Sequence, residues 1–287
     1  MAPDGDLVLP IDAFRESVTT IQGRTLSWLD WGAERDTDPP VVCLHGAMGN
    51  AHIWDQFASA LAMDRRVIAP DLRGHGDSAW VTPPAYTLQD YRSDVEALLE
   101  VLEVKRFALV GHGMGGLVAL MLAGARPQAV QKLVVVDIEA KPPATQTDHL
   151  REVGERGHRL LSDFESMTNA ARAFLPGADE ELVSWLLPYT FTRVEGGHVP
   201  KWDPATLATL QAWNVEPWLA RVRCASLLVR GSESTVMRAE VAESMAGVLD
   251  DGALETVAGA GHQVMLQHPA PFAEVVLPFL LDALQDE

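Results

Sequence analysis

Residues 107–116 read Phe-Ala-Leu-Val-Gly-His-Gly-Met-Gly-Gly, and the stretch Leu117–Ala125 that follows is apolar and helix-forming. Phe107–Val110 is a short apolar run of the kind a buried parallel strand requires. Glycines at 111, 113, 115 and 116 allow a sharp turn and a close approach of strand to helix. Nothing in Phe107–Ala125 is formally charged when the histidine is neutral. The internal glycine cluster nevertheless argues for strand–turn–helix over a membrane span. A unit of this kind demands a parallel sheet covered by helices.

The rest of the chain keeps that rhythm. Ser17–Ile21 and Thr25–Trp31 read as an opening hairpin turning at Gln22-Gly23-Arg24, and Asp36–Pro40 as a loop. Val41–Leu44, Val67–Ala69, Leu133–Val136, Ser226–Val229 and Leu254–Val257 are short apolar strands. Trp54–Ala62 is a helix. Thr87-x-x-Asp90 has the form of a capping box and predicts a helix to about Leu102. Pro271–Leu284 reads as the closing helix. The expected fold class is therefore α/β, with a mostly parallel, doubly wound sheet. Between Glu139 and about Pro217 the strand rhythm stops. That segment is rich in helix formers and carries or borders Phe164, Phe174, Trp185, Tyr189, Phe191, Trp202, Trp213 and Trp218.

Composition limits the function classes. With 287 residues, 47% of them hydrophobic, the chain can hold one large domain with an insertion. A net charge of −18 makes nucleic acid and anionic membranes poor partners. Cys43 and Cys224 are the only cysteines, both in apolar runs. They read as core thiols, with neither a disulfide nor a metal site expected, which suits a reducing, cytoplasmic compartment. Met1–Pro10 lacks the basic and apolar regions of a signal peptide.

Two motif readings compete at the glycine turn. Gly111, Gly113 and Gly116 fit G-x-G-x-x-G, and Asp137 follows the next strand, as in dinucleotide-binding units. Such a unit usually opens its domain, whereas here about a hundred residues precede it. The second reading draws on three further motifs: His45-Gly46-Ala47-Met48-Gly49, Asp71-Leu-Arg73-Gly74-His75-Gly76-Asp77-Ser78, and Gly259-Ala-Gly261-His262. With these the chain resembles the α/β-hydrolase superfamily over nearly its whole length, most of all the small bacterial esterases, lactonases and carbon–carbon hydrolases with a helical cap. Residues 107–116 then resemble the nucleophile elbow G-x-S-x-G, with Gly113 standing where the serine is expected.

The resemblance implies a core over 1–138 and 218–287 and a cap over 139–217. It implies no cofactor, and no NAD(H) or NADP(H) binding is expected. His262 matches the family's catalytic histidine, a proton-transfer group. The acid that orients it usually follows the strand Ser226–Val229, where this chain has Ser234 and Thr235. Haloalkane dehalogenases carry that acid one strand earlier, a position matched by Asp137. Asp137 is thus favoured over a simple turn-capping role, with Glu233 as the fallback. Backbone N–H groups of Ala47 and Met114 match the oxyanion hole, each donor worth ~3 kcal/mol in such sites. His45 is expected to support its turn, the Asp71–Ser78 loop to flank the site, and His112 to be structural or to touch substrate. Most cap aromatics should pack the cap itself. Trp185, Tyr189 and Trp213 are the candidates to face a small hydrophobic substrate.

A base, an acid and an oxyanion hole without a nucleophile admit three explanations. Gly113 replaces a serine in an ester or lactone hydrolase, leaving it inactive or substrate-trapping. Alternatively, the histidine–acid dyad acts directly on water or substrate, as in carbon–carbon cleavage or proton abstraction, with room for a water beside the apex. In the third, a non-catalytic protein uses the pocket to bind a ligand. Retention of His262 and both oxyanion turns favours the first two. The principal reading is hydrolysis of a hydrophobic ester or lactone by acyl-transfer machinery from which only the hydroxyl is missing.

Overall fold

A computed structural model describes residues 14–33 and 39–282. Met1–Pro10, most of the Asp36–Pro40 loop and the Leu284 end of the closing helix lie outside the described residues. The chain opens with an antiparallel hairpin of β1 (Phe14–Ile21) and β2 (Arg24–Trp31), with Ile21 paired to Arg24. The turn is therefore two residues, Gln22-Gly23, and Arg24 joins the strand. Both turn residues have positive φ (50° and 78°), the geometry that matches the twist of flanking strands.

Next come β3 (Val41–Leu44), a 3-10 helix at Ala51–Trp54 capped by Asn50, and α1 (Asp55–Leu61). The helix expected from Trp54 thus begins a turn earlier in tighter form. β4 (Val67–Pro70) precedes α2 (Leu88–Val101). The Thr87–Asp90 capping box forms in both directions. β5 (Phe107–His112), α3 (Met114–Ala125) and β6 (Val130–Val136) complete the first half. The chain then leaves the main sheet through α4 (Ala144–Arg156), α5 (Phe164–Phe174) and α6 (Glu180–Thr190). A small hairpin, β7 (Phe191–Val194) with β8 (Gly197–Pro200), follows, then α7 (Ala205–Ala208) and α8 (Glu216–Leu219). It returns through β9 (Ala225–Gly231), α9 (Ala239–Val248), β10 (Gly252–Val257), α10 (Val264–Gln267) and α11 (Pro269–Leu281).

The main sheet has eight strands in the order β1-β2-β4-β3-β5-β6-β9-β10. β1, β2 and β4 pair antiparallel, and every other neighbouring pair is parallel. The α/β class, parallel and covered on both faces, is as the strand rhythm implied. Alternate side chains enter opposite cores. Val42 and Leu44 meet Leu109, Leu133 and Leu228 on the α2, α3 and α9 face. Val41 and Cys43 meet Val110, Val134 and Val229 on the α1 and α11 face. The segment between β6 and β9 adds no strand to this sheet among the described residues. Its hairpin was hidden in the sequence because β7 is exposed at three of its four positions and shows no buried alternation. No helix among the described residues is long and apolar enough to cross a membrane.

The centre of the sheet fixes the site. β5 runs between β3 and β6, and α3 lies directly over it. A Cβ on Gly115 would come within 2.4 Å of the Leu44 carbonyl oxygen, and one on Gly111 within 2.4 Å of the Gly115 carbonyl oxygen. Only glycine allows strand and helix this close.

Candidate active site

The apex residue, Gly113, has φ +53° and ψ −123° and forms the N-cap of α3. Its N–H donates to the Val136 carbonyl at 3.0 Å, tying the turn to the end of β6. This is strained backbone, which a side chain occupies at a cost of about 1–3 kcal/mol. Space is nonetheless available. An ideal Cβ at Gly113 has as its nearest neighbours His262 Nε2 at 3.5 Å, Gly46 Cα at 3.6 Å and His262 Cε1 at 3.6 Å.

Asp137 directly follows β6. It adopts left-handed backbone, φ +49°, a region that Asp tolerates better than most residues. Its N–H donates to the Val229 carbonyl at 2.8 Å. The side chain is fully buried, which requires its charge to be met by donors. Oδ1 accepts the Gly231 N–H at 3.1 Å. Oδ2 accepts His262 Nδ1–H at 2.9 Å and the Ser234 hydroxyl at 2.5 Å. Because the carboxylate only accepts, the His262 proton sits on Nδ1 and leaves the Nε2 lone pair toward Gly113. Glu233 contacts this loop through its backbone N–H to the Ala260 carbonyl, and its residue is exposed. Ser234, read from the sequence only as the occupant of an expected aspartate position, is thus a donor to the acid itself. The sequence holds no signal for that bond.

Buried histidines brace the two turns. His112 Nε2 donates to the His262 carbonyl at 3.0 Å, and its ring lies 4.4 Å from the His262 ring. Burial holds the His112 pKa well below that of a free histidine. His45 donates from Nδ1 to the Gly46 carbonyl at 2.7 Å and accepts the Leu72 N–H on Nε2 at 2.9 Å. Burial lowers its pKa to about 3, so it is a neutral bracket for the turn. In the same turn the Gly49 N–H donates to the Gly46 carbonyl, and Met48 takes φ +63°. In the flanking loop, Asp71 accepts the N–H groups of Ala51 (2.7 Å) and Asp77 (2.9 Å). Arg73 grips Asp94 of α2 through Nε and Nη2 at 2.5 and 2.6 Å.

A cavity of about 410 Å³ opens over Gly113 and His262. Ala47 and Met114 line it beside the apex, and Met114 is the first residue of α3, whose initial N–H groups lack intrahelical partners. Its walls include Met48, Ile138, Leu150, Phe174, Trp213 and Val236, with Thr145, Gln146, His149, Thr235 and Gln263 as the other polar positions. Among the described residues, no Asp, Glu, Lys or Arg lines it. Of the three aromatics expected to face substrate, Trp213 does line the cavity. Trp185 and Tyr189 are placed elsewhere. They stand one helical turn apart on the face of α6 that meets the 3-10 helix and α1. Trp185 Nε1–H donates to Asp55 Oδ2 at 2.7 Å, and the Tyr189 ring stacks on His52 at 3.5 Å. They fasten the inserted segment to the core. Phe174 lines the cavity instead, and nothing in its sequence context distinguishes it from the other rings. Among the described residues no group of three or more His, Cys, Asp or Glu could hold a metal. Cys43 is buried, Cys224 partly so, and both are free thiols.

A sharp turn at the centre of a parallel sheet, an acid-oriented histidine beside it and an overlying inserted segment define a protein of the hydrolase type. The chain belongs to the alpha/beta hydrolase family, whose sequence model matches residues 41–275. It is 27% identical over 281 residues to the esterase Rv0045c of Mycobacterium tuberculosis, covering 90% of this chain and 87% of that one. A dihydrolipoyllysine-residue acetyltransferase component of the acetoin cleaving system from Pseudomonas putida is 41% identical over 116 residues. That match covers 40% of this chain and only 30% of that relative's length. In fold, the chain is similar to E-2-(acetamidomethylene)succinate hydrolase, with a TM-score of 0.83 at 23% identity, over 94% of this chain and 100% of that one. The chain is a hydrolase-fold, esterase-like enzyme by kinship. The G-x-G-x-x-G spacing here serves the turn from β5 to α3, and the acid that follows it is bonded to His262.

Proposed function

We propose that this site is built for acyl transfer on an uncharged, largely apolar ester or lactone, and that Gly113 leaves the chain without the nucleophile. One observation carries the reading: an ideal Cβ at Gly113 lies 3.5 Å from His262 Nε2. A serine hydroxyl on that carbon comes within hydrogen-bond reach of the base. In the full reaction His262 would take that proton, Asp137 would stabilise the resulting imidazolium, and the N–H groups of Ala47 and Met114 would hold the oxyanion. Residues 139–217 act as the cap that supplies Trp213 and Phe174 to the apolar wall. The lack of any lysine or arginine among the described lining residues supports a neutral substrate over a carboxylate one.

A second reading is supported by the same dyad. With the Nε2 lone pair facing the cavity and no hydroxyl before it, His262 would act as a general base on water or on an acidic substrate C–H. The deciding experiment is a panel of esters, lactones and diketones tested on the chain and on Gly113→Ser. Ester or lactone turnover that depends on the new serine supports acyl transfer. Diketone cleavage by the unsubstituted chain supports direct base catalysis. Saturable binding with no turnover by either protein supports a ligand-binding role.

A further inference from the structure

Gln263 follows His262 and forms the N-cap of α10. It is only 5% exposed, it lines the cavity, and its Oε1 is buried with no protein hydrogen-bond partner. Gln146, on α4 of the inserted segment, reaches the same cavity, and its Oε1 is also buried without a partner. Gln267 shows what a structural carboxamide does in this loop. Its Oε1 accepts the Gly261 N–H at 2.9 Å, and its Nε2 donates to the Pro176 carbonyl at 2.5 Å. Gln263 makes no comparable bonds, so its amide does not brace the loop.

Each Oε1 is sealed from water and unpaired, so a ligand group that supplies its hydrogen bond recovers about 1–3 kcal/mol for that buried acceptor. A carboxamide offers an acceptor and a donor, and a hydroxyl satisfies either. Among the described lining residues an ionised group finds no Asp, Glu, Lys or Arg to pair with. We propose that Gln263, with Gln146 of α4 in the same cavity, is a specificity-determining residue that selects a neutral ester or lactone carrying a free hydroxyl near the acyl carbon. The inference rests on the acyl-substrate reading of the site. Gln263 takes no part in proton transfer. Its effect is on which substrate is held, because a site built to pair a hydroxyl strongly rejects the analogue lacking it.

The test is calorimetric binding to the unsubstituted chain, which lacks the nucleophile, using dihydrocoumarin and its two lactone-ring isomers, the 3-hydroxy and 4-hydroxy compounds. At least one isomer should bind about tenfold or more tighter than the parent. Gln263→Leu should reduce that preference to near unity while keeping or improving binding of the parent. Gln146→Leu should weaken the preference in the same direction, and it carries the test alone if Gln263→Leu does not fold. Parent binding with no preference for any isomer overturns the inference and leaves the acyl-substrate reading standing. A preference that survives both substitutions also overturns it. If neither the parent nor any isomer binds, the acyl-substrate reading fails and this inference falls with it.

Discussion

Asp137 holds His262 from left-handed backbone, with its Oδ2 2.9 Å from the imidazole Nδ1. The same carboxylate takes the Gly231 N–H and the Ser234 hydroxyl, so three donors converge on one fully buried acid. That arrangement fixes the imidazole tautomer and points Nε2 at the apex of the turn. It also explains how the loop after β9 serves the histidine without supplying a carboxylate of its own.

Asp137→Asn should therefore be far more damaging than Glu233→Gln. In a Gly113→Ser background, the amide would favour the wrong imidazole tautomer and cut ester turnover by about 10⁴. Glu233→Gln should change it little, since that residue is exposed and its only described bond is made by its backbone. The comparison is kcat on p-nitrophenyl butyrate. Equal losses, or a larger loss at Glu233, would move the acid.

Gly113→Ser should gain activity and lose stability together. Loss of a nucleophile from such a unit typically costs on the order of 10⁶ in turnover, so the gain should be of several orders of magnitude. The nearest atoms to the new Cβ lie at ordinary contact distance, so no clash is expected. The φ of +53° is the cost, and chemical denaturation should show a loss of about 1–3 kcal/mol. An unsubstituted chain that already turns over ester as fast would sink the nucleophile argument.

The placing of Asp137 against His262 beside Gly113 was legible in the sequence because these residues lie at strand ends and in glycine motifs, where spacing fixes place. Asp137 directly follows β6, Gly113 directly follows β5, and His262 follows a Gly-Ala-Gly turn after β10. The cavity wall was not legible, because a helix presents its faces according to what it packs against. Trp185 and Trp213 look alike as sequence, but Trp185 faces Asp55 and Trp213 faces the cavity. Hairpin β7–β8 was not legible for a related reason: β7 is exposed at three of its four positions and β8 is half-buried throughout, so neither strand carries a buried alternation to read.

Trp185 and Trp213 should accordingly separate in their effects. In the serine-restored protein, Trp213→Ala should raise KM for bulky apolar esters by removing a wall of the cavity, with a smaller effect on short ones. Trp185→Phe should leave that selectivity unchanged. It should destabilise the protein by about 1–3 kcal/mol, because Asp55 Oδ2 loses a buried donor. Melting curves and KM over an ester chain-length series check both. Altered chain-length selectivity in Trp185→Phe would return that ring to the substrate wall.

The protein should lose stability on mild acidification. Burial lowers the pKa of His45 to about 3 and of His75 to about 4, and holds His112 well below its ordinary value. Below about pH 6.5 the unfolded chain protonates these rings while the native state does not, so stability falls as pH falls toward about 4. Asp71 opposes them. Burial raises its pKa to about 6, so between its ordinary value of 3.8 and that pH the native state binds the extra proton. Burial also raises the pKa of Asp55, which opposes the histidines, and lowers that of His158, which joins them, so four histidines against two carboxyls leave a net loss. Urea unfolding between about pH 4.5 and 7 should show it. His75→Gln should make the slope shallower by up to one proton, about 1.4 kcal/mol per pH unit, and Asp71→Asn should steepen it. A stability that rises on acidification, or a slope unmoved by either change, would show that these buried groups do not set the acid limit.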